Sequence, residues 1–278
     1  MGKTAFITGA SSGIGMEAAR GLLAAGYVVY AGARRIDRMA PLAGAGARLL
    51  SLDVTDDASM IAAVKTILGD TGRIDVLVNN AGYGSYGALE DVPIAEARRQ
   101  FEVNLFGLAR LSQLVLPTMR VRRAGRIVNI SSIGGAFGEP FGSWYHATKF
   151  ALEGLSDSLR MEVRRFGIDV VVIQPGAIVS EWNGIARDGL ARHSGEGAYR
   201  DGARAYARFM KSADQGWLPS PPSLVARTIV KAVQARRPRT RYAIGGGARS
   251  VLLLRRFLSD RGFDALMLMG ARPGKATA

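Results

Sequence analysis

Tyr145 and Lys149 stand four positions apart in the stretch Tyr145-His146-Ala147-Thr148-Lys149. On a helix that spacing puts both side chains on one face, ~6 Å apart along the axis. An ammonium beside a phenol favours the phenolate and lowers the tyrosine pKa from ~10. A tyrosine so tuned exchanges a proton near neutral pH. Upstream, Asn129-Ile130-Ser131-Ser132 ends an apolar run, where a serine hydroxyl can hydrogen-bond a carbonyl oxygen on which charge develops. A third group, Thr8-Gly9-Ala10-Ser11-Ser12-Gly13-Ile14-Gly15, follows the first apolar run. Its glycines let the backbone approach a pyrophosphate, and a helix starting there offers free N–H groups. The spacing departs from the generic G-x-G-x-x-G fingerprint. A fourth, Asn79-Asn80-Ala81-Gly82, carries amides able to tie neighbouring strands together and to line a nucleoside. His146 and His193 have no partner ligands at metal spacing, so no metal site is expected.

These groups need a scaffold that brings strand ends together. Short, nearly all-apolar runs at 3–8, 27–32, 48–52, 74–79, 126–131 and 169–174 read as strands buried on both faces. Helical stretches at 13–25, 56–69, 94–119 and 143–166 lie between them, with Gly26 as a C-terminal cap for the first. The alternation implies a single α/β domain over residues 1–278: a doubly wound parallel sheet of Rossmann type with helices on both faces. Its ligand crevice lies at the strands' carboxyl ends. After Gly176 the pattern loosens. Residues 180–221 mix Trp182, Tyr206, Phe209, Met210 and Trp217 with many charges, which reads as a mobile, partly helical substrate lid.

Composition narrows the function. The 278 residues include no cysteine, which excludes disulfides, thiolate catalysis and cysteine metal sites and is compatible with the cytoplasm. No apolar run approaches the ~20 residues of a membrane span. The net charge of +14 is concentrated late: residues 187–278 hold eighteen Lys and Arg against six Asp and Glu. Nucleic acid is not an expected partner, because no zinc, helix-turn-helix or aromatic RNA-binding signature accompanies the charge. In the basic C-terminal extension, 245–278, Val251, Leu252, Leu253, Leu254 and Phe257 sit beside Arg249, Arg255 and Arg256. That segment suits either a peripheral membrane contact or packing on the fold, with packing preferred.

The four groups, in this order, resemble the short-chain dehydrogenase/reductase family, in its hydroxysteroid and retinol dehydrogenase-like branch. The resemblance spans residues 3–186 and thins beyond; Asp53-Val54, Asn104 and Pro175-Gly176-Ala177-Ile178-Val179-Ser180 share in it. It implies a hydride transfer in which Tyr145 is the acid/base, Lys149 holds the nicotinamide ribose and Ser132 polarises the substrate oxygen. Asn104, inside a long helix, would hold a water linking Lys149 to solvent. Ser132 is preferred to Ser131 because it precedes Tyr145 by thirteen residues, the family interval. Gly9, Ser11, Ser12, Gly13, Ile14 and Gly15 would shape the pyrophosphate loop. Asp53 and Val54 would flank adenine, and Asn79, Ala81 and Gly82 would line the adenosine ribose. Pro175, Gly176, Ile178 and Ser180 would pack on the nicotinamide; Ser180 stands where the family has Thr. Relatives assemble through the two long helices, so a homodimer or homotetramer is expected.

Arg34 and Arg35 follow the second strand with no carboxylate until Asp37, a pattern that favours the 2′-phosphate of NADP(H) over NAD(H). Aromatic residues in 180–221 favour a bulky hydrophobic alcohol, ketone or aldehyde. Arg187, Arg192, Arg204 and Arg208 support an alternative, an acyl thioester on a phosphorylated carrier. A binding protein on the same scaffold is the other alternative.

Overall fold

The computed structural model describes residues 2–216 and 218–269, so Trp217 and the last part of the C-terminal extension lie outside the described residues. Strand β1 (Thr4–Thr8) leads into helix α1 (Gly13–Ala24), and β2 (Val28–Ala33) into the short α2 (Ala40–Gly44). Then come β3 (Arg48–Ser51), α3 (Asp57–Thr71) and β4 (Val76–Asn79). Helices α4 (Ile94–Phe101) and α5 (Gly107–Val121) precede β5 (Gly125–Ile130), α6 (Ser143–Val163) and β6 (Ile168–Pro175). All strands are parallel, in the order β3-β2-β1-β4-β5-β6-β7, with β7 at Arg241–Ile244. The chain reverses direction across the sheet between β1 and β4, which opens a crevice at their carboxyl ends.

Side-chain alternation builds both faces of the sheet. Ala5 and Ile7 pack with α1 and with α9 (Pro222–Gln234), while Phe6 between them packs with α3 and α5. Both faces are covered, which is why the strands read as continuous apolar runs. Gly26 takes a left-handed φ of +81° immediately after α1.

One expectation is corrected. The single helix expected over 94–119 is interrupted by a π-helical turn, Glu102–Phe106, with Asn104 at its centre. The wider turn re-aims the side chains after it, a feature that recurs at functional sites. The region after Gly176, expected to be partly helical, holds α7 (Glu181–Ser194) and α8 (Arg200–Gln215), which pack with Tyr86 and Tyr145. The C-terminal helices α10 (Ala248–Phe257) and α11 (Asp260–Leu268) dock through buried Ala248 and Phe263, whose ring lies 5.2 Å from that of Phe137. Leu253, Leu254 and Phe257 remain exposed on the outer face. Among the described residues no helix is long and apolar enough to cross a membrane.

Candidate active site

The floor of the crevice is the turn from β1 into α1. Gly9 and Gly13 have φ of +66° and +53°, a left-handed backbone that favours glycine. Gly15 faces the loop so closely that a Cβ there would lie 2.4 Å from the Gly9 carbonyl oxygen. Ser12 caps α1 with an extended backbone and no side-chain capping bond, so its hydroxyl leaves the first N–H groups unclaimed. Ile14 packs beneath the loop against the α1 face of the core. Asn80 fixes the loop from the neighbouring strand: its Nδ2 donates to the Thr8 and Gly9 carbonyls at 3.0 and 3.2 Å. Thr8 Oγ1 accepts from the Asn80 and Ala81 amides, both at 3.0 Å. Asn80 was the one member of its motif not expected at the cofactor site, and it is the member that shapes the loop.

Asn79 is the opposite case. It is 3 % exposed, and its Nδ2 donates to Asn129 Oδ1 at 2.9 Å and to Ser112 Oγ at 3.3 Å. The amide nitrogen of the side chain expected to line the ribose is thus engaged inside the sheet, and its Oδ1 is buried without a partner. Val54 is buried, its carbonyl against Gly107. Burial pushes the Asp53 carboxyl up, but hydrogen bonds from the Thr55 amide and hydroxyl outweigh it and hold the pKa below its ordinary value. Arg34 also pulls it down.

Beyond β2, Arg34 and Arg35 are exposed. The Arg35 guanidinium donates to Ser11 Oγ at 3.3 Å, which joins two of the expected phosphate ligands. Glu181, at the start of α7, is gripped by Arg35 at 3.3 Å and by Arg38 at 2.8 Å. On the far side, Gly176 donates its N–H to Ile244. A Cβ at Gly176 would lie 2.3 Å from the Gly246 oxygen. Pro175 and Ile178 are buried and Ser180 caps α7.

The catalytic candidates converge at the ends of β5 and α6. Tyr145 and Lys149 are each 7 % exposed on one face of α6. Lys149 Nζ donates to the Ile130 carbonyl at 2.9 Å and lies 5.9 Å from the centre of the Tyr145 ring. Asn104 Oδ1 accepts from the Tyr83 amide at 3.0 Å, and its Nδ2 donates to the Tyr83 carbonyl at 2.9 Å and to Thr148 Oγ1 at 3.1 Å. Both functional groups of Asn104 are thus occupied in clamping the Tyr83 loop onto α6. Ser132 Oγ accepts from the Gly134 amide at 3.0 Å and faces the Tyr145 phenol.

Burial pushes the Tyr145 phenol well up; Ser132 pulls it down and Glu139 pushes it up further. The Lys149 ammonium is tethered to the Ile130 carbonyl and faces the Tyr145 ring. Burial in turn pushes Lys149 down to about 8, against an opposing pull from Glu153.

Side chains of α7 and α8 pack around the phenol. The Trp182 ring lies tilted, 4.9 Å from that of Tyr145, and Tyr86 stands 5.9 Å from both rings. Tyr206 is buried and Met210 packs on it, while Phe209 is half exposed. Of the lid arginines, Arg187 pairs with Asp214 and Arg204 with Glu196. Tyr86, Thr148 and Glu139 were not foreseen; a run of tyrosines carries no spacing that marks a pocket.

The short chain dehydrogenase model matches residues 3–190. A 3-ketodihydrosphingosine reductase of Bacteroides thetaiotaomicron is 46% identical over 171 residues, 61% of this chain and 62% of that protein. Retinol dehydrogenase 8 of Bos taurus is 34% identical, over 85% of this chain and 79% of that one. A short-chain dehydrogenase from Streptomyces avermitilis has a similar structure, with TM-score 0.79, 37% identity and 91% of each chain covered. An actinorhodin polyketide ketoreductase solved with NADPH gives TM-score 0.75 and 29% identity, over 89% of this chain and 97% of that one. The glycine floor, the Tyr145–Lys149 pair and these matches together identify the chain as an oxidoreductase of the short-chain dehydrogenase family.

Proposed function

We propose that the chain is an NADP(H)-dependent oxidoreductase that interconverts a bulky hydrophobic secondary alcohol and its ketone, or an aldehyde, with Tyr145 as acid/base. The observation that carries this reading is a buried phenol flanked by Ser132 and Lys149 and roofed by Trp182, Tyr206 and Met210. Apolar walls around a few placed polar groups suit an apolar substrate with one reacting oxygen.

The floor fits a dinucleotide. The closed approach at Gly15 and the unclaimed N–H groups of α1 would receive the pyrophosphate. Ser11 with Arg35, and Arg34 nearby, would receive a 2′-phosphate. Asp53 and Val54 would border the adenine, and Ala81 and Gly82 its ribose. When bound, the nicotinamide supplies or accepts the hydride. Burial keeps the proton on the Tyr145 hydroxyl, the state that donates to a ketone oxygen. Ser132 would orient that oxygen. Lys149 would bind the nicotinamide ribose, and Asn104, whose amide is engaged with Tyr83 and Thr148, would hold a proton-carrying water through its main chain. The resemblance to a ketoreductase solved with NADPH and to a 3-ketodihydrosphingosine reductase supports both cofactor and reaction class.

Of the four arginines behind the carrier-thioester alternative, Arg187 pairs with Asp214 and Arg204 with Glu196, which weakens that reading for those two. Assembly as a homodimer or homotetramer through the long helices is supported by exposed Phe106 and Val121 beside α5, and Phe150 and Met161 on α6. Consumption of NADPH, with NADH in parallel, is the test against apolar ketones and aldehydes, sugars and keto acids. An apolar ketone should give the highest kcat/KM, and NADPH should bind at least tenfold tighter than NADH. A small hydrophilic keto acid that outperforms every apolar ketone would overturn the substrate reading.

A further inference from the structure

One carboxylate reaches from α7 to the arginines that follow β2. Glu181 is the first residue of α7, and the ring of its neighbour Trp182 lies 4.9 Å from that of Tyr145. Arg38 donates to Glu181 Oε1 at 2.8 Å and Arg35 to Oε2 at 3.3 Å. Burial pushes the Glu181 carboxyl up, but Arg38 and then Arg35 outweigh it and hold the pKa below its ordinary value. The group is therefore an anion at neutral pH.

A single nitrogen has two claims on it. Arg35 Nη2 donates to Glu181 Oε2 and to Ser11 Oγ, each at 3.3 Å. Ser11 is buried in the glycine loop, so it fixes the side from which a phosphate meets Arg35. A phosphate oxygen bonded to that nitrogen would stand no more than about 6 Å from the Glu181 carboxylate oxygen. Two anions at that separation repel. The arginine and the carboxylate are both half exposed, so solvent and salt weaken the repulsion without cancelling it. Glu181 also holds Arg38, the next guanidinium of the same turn. Without the carboxylate both arginines are free to turn toward a phosphate at Ser11.

The start of the helix does not by itself account for this arrangement. An acid in a first turn favours the helix dipole wherever the chain places it. That role asks for no cationic partner, and Glu181 has two, 143 and 146 residues away in the sequence.

We propose that Glu181 is a specificity-determining residue for the cofactor and that it acts against the 2′-phosphate. It competes with that group for Arg35 and Arg38, and so holds the preference for NADPH below what the turn after β2 would give alone. This rests on the reading of Ser11 and Arg35 as 2′-phosphate ligands. The same carboxylate ties α7, and Trp182 with it, to that turn.

The test titrates the full chain with NADPH and with NADH, read by the fluorescence of the reduced nicotinamide, so no substrate is needed. Glu181→Gln should tighten NADPH by about threefold or more and leave NADH within about twofold, the range open to a half-exposed ion pair. Glu181→Lys reverses the charge and should tighten NADPH further. Both gains should shrink as salt is added. NADH lacks the 2′-phosphate, so it is the internal control for folding and for the pyrophosphate floor. A residue that only starts α7 would give the opposite order, with lysine worse than glutamine and both cofactors weakened together. That order, or NADPH binding that Glu181→Gln leaves unchanged, or equal gains for both cofactors, overturns the proposal. Arg35→Ala separates the two levels of failure. If it leaves the NADPH-over-NADH ratio unchanged, the assignment of Arg35 to the phosphate falls, and the competition falls with it. If it lowers the ratio while Glu181→Gln changes nothing, the assignment stands and the competition alone is overturned.

Discussion

Gly15 and Gly184 both lie in helices that border the crevice. A methyl group at Gly15 would meet the Gly9 oxygen at 2.4 Å and Asn80 Nδ2 at 2.5 Å; one at Gly184 would meet nothing within 4 Å. The floor is built by backbone approaching backbone, so its glycines and amides have no substitutes. The lid is built by aromatic side chains meeting one another across α7 and α8, and such contacts accept other residues of similar volume. A floor of the first kind fixes a constant ligand, and a cover of the second kind adapts to a variable one.

The largest expected effect lies where floor and lid meet. Tyr145→Phe keeps the ring under Trp182 and removes the proton, so kcat should fall by ~10²–10⁴-fold. Cofactor titration should show nearly unchanged affinity, and near-normal turnover would refute the role. Next is Gly15→Ala, which overpacks the floor and should cost ~1–3 kcal/mol in denaturant unfolding, with weaker NADPH binding. Arg35→Ala removes a charged partner beside Ser11; the NADPH-over-NADH affinity ratio should drop about tenfold, or ~1.4 kcal/mol. Equal ratios in wild type and variant would move the selectivity to Arg34.

Lys149 gives a pH signature. Its folded pKa, about 8, lies below its ordinary 10.5. Between those values the unfolded chain holds a proton that the folded chain has released, so this residue adds stability as the pH rises through that window. Thermal unfolding of Lys149→Met should lack that rise, and the variant should be the more stable protein at neutral pH. The smallest effect is Gly184→Ala, a gain of up to ~1 kcal/mol from a less flexible unfolded chain and better helix propensity. A clear loss there would show that the lid packs as tightly as the floor.

The six strands read from the sequence stand within two residues of their observed ends, because burial on both faces leaves continuous apolar runs. The strand β7 does not stand out as an apolar run: Arg241–Ile244 is only half buried and follows an arginine-rich stretch. The π turn at Asn104 leaves no trace in residue types, since it changes backbone spacing and not apolar periodicity. The direction of Asn79 was legible in principle. Strand alternation puts it on the same face as Leu77, toward α5, and puts Asn80 on the other. Glu181 and the arginines after β2 come together only through the fold, and no spacing in the sequence announces them.

The buried pairing of Asn79 with Asn129 has a consequence for assembly of the sheet. Val76-Leu77-Val78 and Ile127-Val128 are nearly interchangeable as apolar strands, and a slipped register would satisfy their side chains almost as well. In the native register Asn79 stands opposite Asn129, and the tie continues to Ser112 and Ser156, each of which donates its own hydroxyl to a helix carbonyl. A slip by one residue would set Asn79 against Val128 or Ile130 and strand buried amides at ~1–3 kcal/mol each. The polar cross-tie thus selects among competing strand alignments while the chain folds. Replacing both asparagines by leucine should leave burial intact and widen the set of compact states that the chain reaches.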